Sequence, residues 1–301
     1  MIDALFYFLI VSLWGTTWLA VKWQLHDAPA EVSVLYRFAL AFLVLFVFCK
    51  IKKLSLSFKL KEHLILLLLG ICIFSVHVLL FYNAGFYLVS GCVSVLFSFV
   101  SVFNLVNAAV FLKRKPSSKM LLGALLGLGG LSAFFWEDLR SLSFDNGAAM
   151  GILYGLVGSC LFSWGNIVSR RYQHEKMELI PSSTVAMGYG AIVLLLYCLL
   201  RNSAFVLPEK PSYWGILLYL AVVSVVGFVG FLRLVSRIGP ERAGYATVLF
   251  PIIALFLSSL FENYTFTRLH FVGIGCVIGG NILMIPVRKK VVITSTVQGD
   301  S

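Results

Sequence analysis

Apolar residues run along this chain in long blocks, without the strict alternation or the narrow stripes that mark soluble strands and helices. A helix rises about 1.5 Å per residue, so roughly 20 apolar residues cross a hydrocarbon core of about 30 Å. Ten such blocks can be read, at 4–24, 30–49, 64–84, 86–112, 119–136, 148–169, 181–200, 213–234, 242–261 and 269–287. The pattern predicts an all-α integral membrane protein with ten transmembrane helices. The connections are short apart from a basic stretch at 50–63 and an acidic-leaning one at 137–147. The polar segment 291–301 is expected to be a disordered cytoplasmic tail.

The blocks also repeat. Trp14-Gly15 returns as Trp164-Gly165, and Pro29 returns as Pro181. Gly91, Ser94 and Phe97 correspond to Gly244, Thr247 and Phe250, and Gly129-Gly130 returns as Gly279-Gly280, all at offsets of 150 to 153. Two five-helix repeats follow, 1–137 and 148–290. Five is odd, so the second copy enters the bilayer upside down. Inverted repeats of this kind place a site between the halves near the midplane, and rocking of one half on the other gives alternating access.

Composition agrees with the pattern: 60% of the 301 residues are hydrophobic and 12% are charged. The formal charge of +11 would suit a nucleic-acid partner, but its distribution argues otherwise. Eighteen of the 24 basic residues fall in alternate connections and at the C-terminal end, among them Lys50, Lys52, Lys53, Lys113, Arg114, Lys115, Arg170 and Arg171. The opposite side has four, Arg140, Arg201, Lys210 and Arg268. This positive-inside bias predicts cytoplasmic termini and no nucleic-acid role. All six cysteines lie within apolar blocks with no metal-ligand spacing, as small packing residues do. The first block lacks a basic leading region and carries Trp14 and Trp18, so it is expected to be retained as a span.

Polar residues deep in a span have to find partners, which makes each a candidate. Gly91, Ser94, Ser98 and Ser101 form one stripe on the fourth span, with Asn104 at its rim; Gly244, Thr247, Pro251 and Ser258 form the matching stripe on the ninth. Such stripes line a hydrated cavity or mediate close helix packing. Pro251 removes a backbone donor, so the ninth helix is expected to be the more bent. Arg37 is the one strong cation well inside a span. It could clamp a substrate carboxylate through its bidentate fork, or anchor onto backbone carbonyls near the interface. Lys22, nearer a span end, is expected to snorkel.

Trp14 and Thr17 in the first span, with Trp164 and Asn166 in the sixth, form a second repeated cluster that suits a wall, a gate or plain packing. His77 and Tyr82 could relay protons or touch substrate, although a lone histidine on an apolar face is usually a core residue. Gly123/Gly127 and Gly275/Gly279 suit close helix approach or a homodimer contact. No Asp or Glu falls in the interior of a block, so a buried-carboxylate antiporter, a metal site and a hydrolytic triad lack candidates. No Walker-type glycine run is present, and no cofactor is implied.

The stretches LWGTTWLAVK, PAEVSVLYRFALA, ERAGYATVLFPIIALFLSSLFE and VGIGCVIGGNIL resemble the EamA family of the drug/metabolite transporter superfamily, over roughly 4–136 and 148–287. The resemblance implies a ten-span bundle with cytoplasmic termini. It also implies a central cavity walled mainly by the first, third, fourth, sixth, eighth and ninth helices. Arg37 matches the family's usual arginine in the second helix and Pro251 its proline in the ninth. Two positions depart: Ser98 stands where the fourth helix often has proline, and Lys113-Arg114-Lys115 stands where Gly-Glu-Arg is usual.

The expectation is a secondary carrier of the bacterial inner membrane, with no enzymatic activity, that exports small metabolites such as amino acids. The cavity would be formed by Trp14, Thr17, Arg37, Tyr82, Ser94, Ser98, Trp164, Asn166, Thr247 and Pro251. The partners would be a small-molecule substrate, the lipid bilayer and conceivably a second copy. The alternative is a non-transporting membrane receptor or regulatory subunit.

Overall fold

The computed structural model describes residues 2–113, 115–136, 147–174, 177–238, 246–263 and 265–284. They form twelve helices and, among the described residues, no strand. These are α1 (Ile2–Gln24), α2 (Ala30–Ile51), α3 (Leu60–Phe74), α4 (Val76–Tyr87), α5 (Ser90–Phe97) and α6 (Val100–Leu112), followed by α7 (Ser118–Phe134), α8 (Ala148–His174), α9 (Leu179–Leu200), α10 (Pro211–Ile238), α11 (Ala246–Phe261) and α12 (Arg268–Met284). The boundaries have local causes. Pro29 precedes α2 and Pro211 opens α10, where a missing N–H is harmless. Ser117 accepts a hydrogen bond from the Met120 amide at the start of α7. Left-handed residues follow several helices: His26, Lys53, Lys113, Asn202 and Asn263.

Six described stretches are long and apolar enough to cross a membrane: Ala30–Ile51, Leu60–Tyr87, Ser90–Phe111, Ala148–Ser169, Leu179–Leu200 and Pro211–Phe231. Ser118–Phe134, Leu249–Phe261 and Arg268–Leu283 are shorter apolar helices. Large apolar side chains such as Leu43, Leu125, Leu196, Leu218, Phe256 and Phe271 stand exposed on the outside of the bundle. In water such a surface would aggregate; in lipid it is solvated.

Two of the long runs are interrupted near their middles. Between α3 and α4, Ser75 leaves helical geometry (φ −145°, ψ −82°), and its buried hydroxyl donates to the carbonyls of Gly70 (2.9 Å) and Ile71 (3.1 Å). Between α5 and α6 the backbone tightens to three-residue bonds, Ser98 N–H to Val95 O and Phe99 N–H to Leu96 O, both 3.1 Å. By contrast α11 runs unbroken through Pro251. The helix that breaks is the one carrying Ser98, while α11 continues through its proline and packs on α1 and α5.

Helices from the two ends of the sequence interleave. α1 packs on α10 and α11, and α8 packs on α3, α4, α5 and α6. α2 lies against α9 and α10, α9 against α2 and α3, α5 against α11, and α7 along α12. The α7–α12 contact is nearly backbone to backbone: a Cβ on Gly280 would sit 2.4 Å from the Gly123 carbonyl, and one on Gly130 would sit 2.8 Å from the Gly273 carbonyl. Gly123 and Gly127 belong to this contact, as their spacing suggests. On α12, however, the glycine that meets them is Gly280, and Gly273 meets Gly130; Gly279 reaches only the Leu126 side chain, and Gly275 faces open space.

Candidate functional site

α1, α2, α4, α5, α8, α10 and α11 line a partly open cavity of about 80 Å³. Its wall is largely aromatic: Trp14, Trp18, Phe81, Phe97, Phe162, Phe228 and Phe250. The rings hold one another in place. Trp18 stacks on Phe250 (centroids 6.1 Å, 21°), Phe97 meets Phe162 at 4.9 Å, and Trp14 touches Phe228 at 5.9 Å.

Arg37 enters this apolar wall only 5% exposed. Its Nε donates to Ser224 Oγ at 2.9 Å, and that hydroxyl donates onward to the Leu220 carbonyl at 2.8 Å. Tyr82 lies beside the guanidinium and donates its hydroxyl to Gln24 Oε1 at 2.8 Å. No carboxylate pairs with Arg37 among the described residues. Four further polar atoms are buried without a partner: Trp18 Nε1 and His77 Nδ1 on residues of the cavity wall, Gln24 Nε2 behind Tyr82, and Ser258 Oγ on α11. Buried donors are seldom left unsatisfied unless something else is meant to meet them. A second cavity, of about 50 Å³, shares Phe162 and Phe228 with the first and is also lined by Asn166, Ser169, Ser182 and Ser183. Those two rings, 6.4 Å apart, form a partition between the chambers.

Of the residues singled out in the sequence, Trp14, Thr17, Arg37 and Tyr82 share the first cavity and Asn166 lines the second. Thr17 turns its hydroxyl onto the Leu13 carbonyl of its own helix, 2.8 Å away. Ser94 and Ser98 are buried away from both chambers. The Ser94 hydroxyl donates to the Gly91 carbonyl at 2.6 Å, and a Cβ on Gly91 would meet Leu255 and Ser258 within 3.0 Å. That stripe is a helix-packing face. Trp164 is 43% exposed on the outside and donates to Asn107 Oδ1 at 3.1 Å. It belongs to an amide–hydroxyl network in which Asn107 donates to Ser163, and Ser163 donates to Asn104, each at 2.8 Å. Pro251 is buried in α11. Thr247 falls in the same helix, but its side chain lies outside the described residues, as does 291–301. The sequence reading set His77 aside and missed Trp18, Ser224 and the phenylalanines. Only the isolated serine in the apolar run of α10 offered a signal.

One end of the bundle is tied across helices. Lys22 donates to the carbonyls of Gly85 (2.5 Å) and Leu88 (3.1 Å), capping the end of α4. Glu262 accepts from the Ser90 amide (3.0 and 3.1 Å) and from its hydroxyl at the start of α5. Lys210 pairs with Asp27, and Ser203 donates to Glu31 at 2.5 Å. Removing the carboxylate with Glu262→Ala leaves the α5 N–H groups unmet and is expected to cost about 1–2 kcal/mol. The measurement is a lowered melting temperature of the purified protein, and an unchanged one would show that this cap does not hold α5. No group of three or more His, Cys, Asp or Glu side chains that could hold a metal occurs among the described residues.

Apolar helices with a lipid-suited exterior, packed around an internal cavity, define an integral membrane protein with a small-molecule site. The chain belongs to the EamA-like transporter family, whose model matches it twice, at residues 1–136 and 149–285. It is 28% identical to "Uncharacterized transporter YoaV" of Bacillus subtilis (strain 168), over 83% of this chain and 85% of that protein. It is 24% identical to the "Probable amino-acid metabolite efflux pump" of Escherichia coli (strain K12), over 97% of this chain and 99% of that protein. A crystal structure of a protein with 14% identity superposes with a TM-score of 0.68, covering 94% of this chain and 96% of the other, which supports the fold alone. The protein is thus a membrane transporter for a small molecule.

Proposed function

We propose that this transporter exports small amphipathic metabolites, amino acids or their close carboxylate relatives, by alternating access across the inner (plasma) membrane. Both termini would be cytoplasmic. The transport unit would be two inverted five-span repeats, 1–137 and 148–290. Three observations support that architecture. The basic residues crowd alternate connections. The family model matches both halves. The helix contacts also pair up when the halves are exchanged: α1 on α10 mirrors α8 on α3 and α4, α1 on α11 mirrors α8 on α5 and α6, and α2 on α9 mirrors itself.

The observation that carries the reading is Arg37, a buried cation with no counter-charge among the described residues, on the wall of a cavity between the halves. The tied end at Lys22 and Glu262 would serve as one gate and the Phe162–Phe228 partition as part of the other. Rocking would open them in turn. Proteoliposomes loaded with a panel of labelled amino acids and related metabolites test this, with and without a proton gradient. Release of some members faster than from protein-free vesicles is expected. No release of any member from vesicles holding folded protein would sink the carrier reading.

A further inference from the structure

The cavity's charge balance is lopsided. Among its described lining residues the single full charge is that of Arg37, and no carboxylate faces it. The other polar atoms lean the same way. Ser224 already accepts from Arg37, the Thr17 hydroxyl is spent on Leu13, and Trp18 Nε1 is a donor with nothing to give to. The remaining wall is seven aromatic rings and aliphatic groups from Val21, Val78 and Val223.

We propose that this chamber is built for a monocarboxylate with an uncharged apolar or aryl body, and that it discriminates against the α-ammonium group of a free amino acid. The proposal narrows the cargo within the carrier reading and rests on it. A carboxylate placed between Arg37 and Trp18 Nε1 cancels the buried charge and satisfies an orphaned donor, while its body lies among the rings. A zwitterion brings a second cation into the same low-dielectric space. That ammonium meets a like charge on Arg37 and no carboxylate among the lining residues. Ring faces attract cations, but they are a partial substitute for the water an ammonium loses.

The decisive pair of probes is 3-phenylpropionate and L-phenylalanine, which share a body and a carboxylate and differ by the ammonium. Binding to the purified full chain is measured by calorimetry, and exchange is measured by counterflow in proteoliposomes. 3-Phenylpropionate is expected to bind at least tenfold more tightly than phenylalanine and to exchange faster. Trp18→Phe, which keeps a ring but deletes the donor, is expected to weaken 3-phenylpropionate about tenfold. Equal affinities, a preference for phenylalanine, or binding of neither by folded protein would overturn the proposal. The expected binding preference without any exchange would instead overturn the carrier reading and leave the assignment of the chamber standing.

Discussion

Arg37→Ala is expected to lower flux of carboxylate cargo by about 100-fold while changing the slower flux of the corresponding neutral amide by no more than about threefold. The size follows from the environment. Deleting one partner of a buried, hydrogen-bonded charge pair costs about 2–5 kcal/mol, and every 1.4 kcal/mol is tenfold. Arg37 is 5% exposed, has a hydroxyl rather than a carboxylate as its protein partner, and so keeps its counter-charge for something that arrives from outside. Arg37→Lys is expected to fall between, because lysine keeps the charge but loses the fork and the Nε bond to Ser224. Stability separates this from a structural role. Since no internal ion pair is broken, the melting temperature of Arg37→Ala should stay close to that of the unaltered protein, measured in the same detergent without cargo. If acid and amide flux fall together while the protein melts earlier, Arg37 is an anchor for α2 and not a substrate group.

The second large effect lies far from the cavity, in the seam between α7 and α12. Gly280→Leu would put a Cβ 2.4 Å from the Gly123 carbonyl and 2.8 Å from the Gly127 amide, and neither is a flexible side-chain end. Gly130→Leu would meet the Gly273 carbonyl and the Val277 amide, both at 2.8 Å. The helices must separate to admit either side chain, forfeiting contacts along the whole seam. Destabilisation of about 3 kcal/mol is expected, at the upper end for overpacking. It should appear as loss of the monodisperse peak on size exclusion or a much lower melting temperature. Gly275→Leu is the control: a Cβ there meets nothing within 4 Å, so it should change stability by no more than about 0.5 kcal/mol. Equal tolerance at Gly280 and Gly275 would mean that the backbones do not approach so closely.

The sequence went furthest where lipid imposes a hard constraint. A strong cation in an apolar span has few places to be, and Arg37 was recognisable for that reason. Trp14, Thr17 and Tyr82 were found because polar or amphipathic residues in spans are rare enough to inspect one by one. The serine stripe shows where that approach fails. Ser94 and Ser98 look like a wetted wall, yet Gly91 beside them lets α11 close in and Leu255 fills the space. Small residues create room, and their spacing does not say whether a ligand or another helix takes it. Trp164 misled in a related way: an indole suits a chamber wall, a packed interface or, as here, an outward face with its N–H held by Asn107.

The sequence by itself determined that the chain is helical, where its helices lie to within a few residues, and that it belongs in a membrane. Backbone hydrogen bonding in lipid leaves a long apolar run almost no alternative to a helix. Only the tertiary structure decided which faces turn inward. In a soluble helix the polar face marks the outside, but here inside and outside are equally apolar, so the phenylalanines of the chamber read no differently from those facing lipid. The pairing of Arg37 with Ser224 and the burial of the Trp18 and His77 nitrogens arise from helices distant in sequence meeting in space.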